Sequence, residues 1–83
     1  MFVTVLLFAS ARVRAGSSTL VVELAEPANV ADLKQAIAQA CPALGGLMSS
    51  SRVAIDALYV DDDDPVRSTS EVALIPPVSG GTR

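Results

Sequence analysis

Few residues in this chain are equipped to do chemistry, and their types narrow what that chemistry is. Among its 83 residues there is no histidine and only one cysteine, Cys41. Without histidine the commonest general base and the commonest zinc ligand are missing, so neither a nucleophile–base triad nor a zinc centre is expected. A lone cysteine cannot close an internal disulfide, which makes the cytoplasm the expected compartment, and Cys41 reads as a small buried core residue. Asp61-Asp62-Asp63-Asp64 gathers four carboxylates. They are consecutive, and they lack the alternating spacing, central glycine and distal glutamate of a calcium loop, so the run reads as a solvated turn and no metal site is assigned. What remains is the sequence Pro76-Pro77-Val78-Ser79-Gly80-Gly81. Proline fixes φ near about −65° and keeps a chain extended, while two successive residues without Cβ can enter a channel too narrow for any side chain. Such an end can present a C-terminal carboxylate inside the active site of another protein.

The elements that must position this end can be read from hydrophobic period. Phe2 to Phe8 is a run of β-branched and large apolar residues, stopped by the turn-prone Ala15-Gly16-Ser17-Ser18, and it reads as a central strand. Val3, Val5 and Leu7 share one face, and Phe2, Thr4, Leu6 and Phe8 the other. Thr19 to Leu24 alternates with Leu20, Val22 and Leu24 inward, so a hairpin with the first strand is the natural pairing. Val30, Leu33, Ile37, Ala40, Cys41 and Leu44 recur at helical spacing, with Asn29 as N-cap, Asp32 three residues later, and Pro42 ending the helix. A short second helical turn fits Ala43 to Met48. Arg52 to Asp56, Leu58 to Val60 and Glu71 to Ile75 read as strands, with Asp56 in a turn and Pro76-Pro77 stopping the last strand.

This order predicts an α+β fold, a mixed sheet of four to five strands with one main helix on one face, as in the ubiquitin-like β-grasp. Residues 1–77 would form that domain and residues 78–83 a flexible tail. The chain is 51% hydrophobic and 18% charged, enough apolar surface for one core and too short a chain for two. A net charge of −3 with scattered basic residues argues against a nucleic-acid partner. The apolar segment Met1 to Ala9 is too short to span a membrane and lacks the basic start of a signal peptide.

Glu71-Val-Ala-Leu-Ile-Pro-Pro-Val-Ser-Gly-Gly81 resembles the terminal signature of the small, MoaD-type subunit of molybdopterin synthase, in the ThiS/MoaD family of sulfur carriers. Val5-Leu-Leu-Phe-Ala9 followed by Arg12, the helix start Asn29-Val-Ala-Asp-Leu33 and the strand region Val53 to Val60 match in order and spacing, so the resemblance covers nearly the whole chain. It implies that an E1-like, MoeB-like adenylyltransferase uses ATP to adenylate the Gly81 carboxylate, which then becomes a thiocarboxylate. It further implies that Gly80 and Gly81 enter a MoaE-like large subunit and give sulfur to the pterin precursor. On this reading the chain binds no cofactor of its own, and the active site is expected on the large subunit. The implied partner contacts are Phe8, Ile75, Pro76, Pro77, Val78 and Ser79, with Phe8, Ala73 and Ile75 on the sheet face the helix leaves bare.

Two other readings remain open. A carrier for thiazole or tRNA thiolation also ends in Gly-Gly, without the Pro-Pro-Val-Ser that precedes it here. A non-covalent β-grasp interaction module would not need the glycines. Lys34, the only lysine, leaves little scope for polymeric self-linkage.

Thr82 and Arg83 follow Gly81, whereas the resembled pattern ends at the second glycine, so Gly81 must be exposed before it can be adenylated. With an activating enzyme and ATP, a chain ending at Gly81 is expected to release pyrophosphate and the 83-residue chain none. Equal release from both forms would contradict this.

Overall fold

The computed structural model describes residues 1–77; Val78 to Arg83, and with them the expected tail, lie outside the described residues. The first strand, β1 (Phe2–Leu7), alternates as its sequence requires, with Val3, Val5 and Leu7 buried and Phe2 and Thr4 exposed. β1 stands beside β2 (Thr19–Glu23), antiparallel in the register Val3↔Val22 and Val5↔Leu20. Its other neighbour is the last strand, β7 (Val72–Ile75), parallel in the register Val5↔Val72 and Leu7↔Leu74. β4 (Arg52–Ile55) pairs antiparallel with β7 and with β5 (Leu58–Val60), which completes the five-stranded order β2-β1-β7-β4-β5.

A parallel pair needs a crossover connection, and α2 (Val30–Ala40) supplies it. Val30, Leu33 and Ile37 on its apolar stripe are buried against the sheet face that carries Val3, Val5, Leu7, Val53, Val72 and Leu74. Burying each such aliphatic side chain contributes about 1.5–3 kcal/mol, so this single layer contact holds most of the fold. Asn29 caps the helix with a capping box. Asn29 Oδ1 accepts from the Asp32 N–H at 2.9 Å, and Asp32 Oδ2 accepts from the Asn29 N–H at 3.0 Å.

The aspartate run is an exposed turn, as its composition implies, and it also serves the helix. The backbone carbonyls of Asp64 and Asp62 accept from the N–H groups of Val30 and Ala31, both at 3.0 Å. Two donors that a helix start otherwise leaves open are satisfied in this way. Lys34 Nζ lies 3.1 Å from Asp62 Oδ1, an ion pair too exposed on the aspartate side to add much stability.

Three features depart from the sequence expectation. β1 ends at Leu7, and the link to β2 carries a short helix, α1 (Ala9–Ala15), so the two strands are neighbours without forming a simple hairpin. Alanines at 9, 11 and 15 favour the helix, Ala11 is small enough to be fully buried, and Arg12 and Arg14 suit the negative end of its dipole. Gly16 ends it in the left-handed conformation at φ 69°, donating its N–H to the Arg12 and Val13 carbonyls. β3 (Ala28–Asn29) and β6 (Pro65–Val66) form a separate two-residue antiparallel ladder. Ala40 is exposed and Cys41 only half-buried, because the helix closes at Cys41, whose N–H reaches the Ile37 carbonyl at 2.9 Å. Leu44 is buried as expected, and the short second helical turn expected over Ala43 to Met48 is present as a 3-10 helix (Pro42–Leu47) that proline opens.

Replacing Asn29 by alanine removes the acceptor for Asp32 and is expected to cost about 1 kcal/mol. Thermal unfolding followed by circular dichroism should then show a Tm lower by about 4–8 °C, the usual response of a domain this size. An unchanged Tm would mean that the carbonyls of the aspartate turn hold the helix start alone.

Candidate functional site at the exit of the last strand

Alternation along β7 divides its residues between two surfaces. Val72 and Leu74 are buried beneath α2, while Ala73 and Ile75 lie half-buried on the opposite face, which no helix covers. The register sets their neighbours on that face. Leu6 is opposite Ala73 on one side, Ala54 is opposite it on the other, and Tyr59 is opposite Ala54 in turn. Three small residues, Ala54, Ala57 and Ala73, thus form a floor between the larger Phe8, Tyr59 and Ile75. The result is an open, largely apolar groove of about 310 Å³.

Each wall is fixed by a local feature. Phe8 is extended (φ −122°, ψ 157°) and the following Ala9 takes a left-handed φ of 51°, so the chain turns sharply from β1 into α1. Phe8 is left at that corner with 45% of its surface exposed. An alanine at positive φ costs about 1–2 kcal/mol, strain that the surrounding fold must outweigh to hold this corner. Tyr59 lies under Arg52, whose guanidinium carbon is 4.5 Å from the ring centroid, a cation–π contact that restrains the ring.

At the far end of the groove, Asp56 and Ala57 make the two-residue turn between β4 and β5, both left-handed at φ 52° and 71°. The Asp56 N–H donates to the Glu71 carbonyl at 2.9 Å, and Asp56 Oδ1 accepts from the Glu71 N–H at 3.0 Å. This reciprocal pair ties the entry of β7 to the hairpin beside it. Asp56 therefore has the turn role that its sequence position suggests.

Of the residues singled out from sequence, Phe8 and Ile75 line the same groove, with Ala73 between them, as the alternation requires. Pro76 is fully buried, so it anchors the exit of β7 and offers no surface of its own; Pro77 is exposed. Val78, Ser79, Gly80 and Gly81 lie outside the described residues. Leu6, Ala54, Tyr59, Arg52 and Glu71 were not singled out beforehand. Alternation along β4 puts Arg52 and Ala54 on one face, but the pairing of β4 with β7 that brings them to Ile75 is a long-range fact.

Among the described residues no group of three or more His, Cys, Asp or Glu is placed to hold a metal ion. No helix among them is long and apolar enough to cross a membrane. The geometry offers an apolar groove and a proline-stiffened exit, and among the described residues the ionisable side chains that line the groove are the Tyr59 phenol and the Glu71 carboxylate.

Known proteins share both the sequence and the fold. Residues 5–81 match the model of the ThiS family. The chain is 39% identical over 83 residues to the molybdopterin synthase sulfur carrier subunit of Chlamydomonas reinhardtii, across 98% of this chain and 100% of that protein. It is 46% identical over 65 residues to the molybdopterin synthase sulfur carrier subunit of Synechococcus elongatus, across 71% of this chain and 72% of that one. The crystal structure of SAMP1 from Haloferax volcanii superposes with a TM-score of 0.86 at 29% identity, covering 98% of this chain and 100% of that one. With a β-grasp sheet, a bare groove beside its last strand and a match that runs through the glycine pair, the chain belongs to the ThiS family.

Proposed function

We propose that this protein is the sulfur-carrying small subunit of a molybdopterin synthase, acting through a thiocarboxylate on Gly81. The observation that carries the reading is the groove of Phe8, Tyr59 and Ile75 at the mouth of β7, which a partner can grip while the residues after Pro77 reach into its active site. The names of the curated relatives support the choice of pathway.

The chemistry follows from what the chain lacks. An E1-like adenylyltransferase joins the Gly81 carboxylate to AMP, with release of pyrophosphate from ATP. A persulfide sulfur then attacks the acyl carbon and expels AMP, and a thiol of the sulfur donor or activating enzyme attacks the resulting sulfur–sulfur bond, so that the thiocarboxylate leaves and a disulfide forms on that partner. In the large subunit that sulfur passes to the pterin precursor, and Gly81 returns to a carboxylate. Each charged carrier holds one transferable sulfur, so a dithiolene consumes two of them in turn, and the carrier must leave after each transfer. A shallow apolar groove suits such a reversible contact better than a large obligate interface does. No acid or base of this chain takes part, and none is needed.

A chain ending in the Gly81 thiocarboxylate, mixed with the large subunit and pterin precursor, is expected to yield dithiolene, whereas the same chain lacking Gly80 and Gly81 yields none. Phe8→Ala should weaken binding to the large subunit by roughly tenfold or more, as for a partly buried aromatic anchor, while changing Tm little. Calorimetric titration beside thermal unfolding makes the comparison. A large fall in Tm with unchanged binding would make Phe8 a core residue and remove the groove from the account.

A further inference from the structure

The exposed apolar residues at the other end of β1 are not explained by the groove. Phe2 and Val21 are 67% and 56% exposed, on the bare face of β1 and β2. Phe2 and Phe8 are six positions apart, about 20 Å along an extended strand. β2 is an edge strand, paired only with β1 among the described residues.

The hydrogen bonds show which groups of that edge are unused. Leu7 N–H donates to the Ser18 carbonyl at 2.9 Å, and Leu24 N–H donates to the Met1 carbonyl at 2.8 Å. With the register Val5↔Leu20 and Val3↔Val22, residues 18, 20, 22 and 24 therefore aim their backbone at β1. Thr19, Val21 and Glu23 aim theirs outward. The Ser17 hydroxyl already bonds the Thr19 carbonyl at 2.9 Å and accepts from its N–H at 3.3 Å. Val21 and Glu23 have no such local partner among the described residues.

We propose that this edge pairs with the same edge of a second copy of the chain, antiparallel and centred on Val21, to form a two-fold dimer with one continuous ten-stranded sheet. The strand is complementary to itself in that register. Val21 faces Val21, Leu20 faces Val22, and Thr19 faces Glu23, so the only charge of the strand meets a hydroxyl and never its own kind. The outward backbone groups of residues 19, 21 and 23 share one parity, so Val21 meets Val21 in a hydrogen-bonded pair across the two-fold, and Glu23 meets Thr19 in one once Thr19 exchanges its bonds with the Ser17 hydroxyl for the partner strand. Val21 from both copies then closes an apolar strip with the diagonally placed Phe2 residues. The edge carries no proline, lysine or bulge of the kind that blocks such pairing. The opposite edge, β5, has three residues and runs directly into four aspartates, which suits it less. The groove of Phe8 and Ile75 stays open in this dimer.

Sedimentation equilibrium of the whole chain over a wide concentration range tests the proposal. The wild-type protein should move from monomer to dimer as concentration rises. Val21→Pro removes an N–H that the monomer does not use, is tolerated on an edge strand, and should weaken the dimer by roughly tenfold or more through two lost hydrogen bonds. Val21→Lys and Val21→Glu should each be monomeric alone and associate when mixed in equal amounts. A wild-type protein monomeric throughout, or Val21 variants that dimerise as the wild type does, would overturn the proposal. Loss of association on Phe8→Ala with Val21→Lys unaffected would also overturn it, since the groove would then be the contact. These Val21 variants leave sulfur transfer untouched, so failure here and failure of the carrier reading are separately visible.

Discussion

The structure depends on one pairing, the parallel contact of the first strand with the last. Val5 opposite Val72 and Leu7 opposite Leu74 place the end of the chain in the middle of the sheet, where both neighbours hold it. A last strand at an edge would be more prone to fray. Here the exit is fixed from below by buried Leu74, from the side by β4, and at its end by buried Pro76. The same parallel register puts Phe8, one residue past the end of β1, beside Ile75, so the exit of β7 at Pro76 and the surface next to it come from a single constraint.

That pairing also explains why the other parts are there. Parallel neighbours need a crossover, and α2 is both that crossover and the lid of the core. Its N-terminus is closed by Asn29 and by two carbonyls from the aspartate turn, which joins a loop far along the chain to the helix start. Covering one face leaves the other bare, and the bare face is where small alanines, two aromatics and Ile75 make a groove. The division of labour in the proposed function has the same origin: the chain supplies a presented carboxylate and a grip, and the reacting groups belong to whatever grips it.

Much of this was legible in the residues. Strict alternation in Phe2 to Leu7 gave the two faces of β1, the 3-4 spacing of Val30, Leu33 and Ile37 gave the helix, and Asn29 with Asp32 gave its start. Phe8, Ala73 and Ile75 could be placed on a common bare face before any coordinates. What was not legible depends on partners distant in sequence. The alanine-rich Ala9 to Ala15 has helix propensity but sits between two strands, and only its burial against the 3-10 helix and β7 decides for the helix. Tyr59 carries no sign of its role until the β4–β5 register sets it beside Ala54 and under Arg52. Cys41 looked like core because it continues the apolar spacing, yet the helix ends there and turns it partly outward.

The central claim is that the second glycine of the pair becomes the reactive end of this protein. Intact-mass spectrometry of the chain recovered from cells that are making molybdenum cofactor tests it most directly. The account predicts a polypeptide ending at Gly81, part of it with one terminal oxygen replaced by sulfur, and loss of that species when the activating enzyme is removed. A chain that always extends beyond Gly81 while cofactor synthesis proceeds would contradict it.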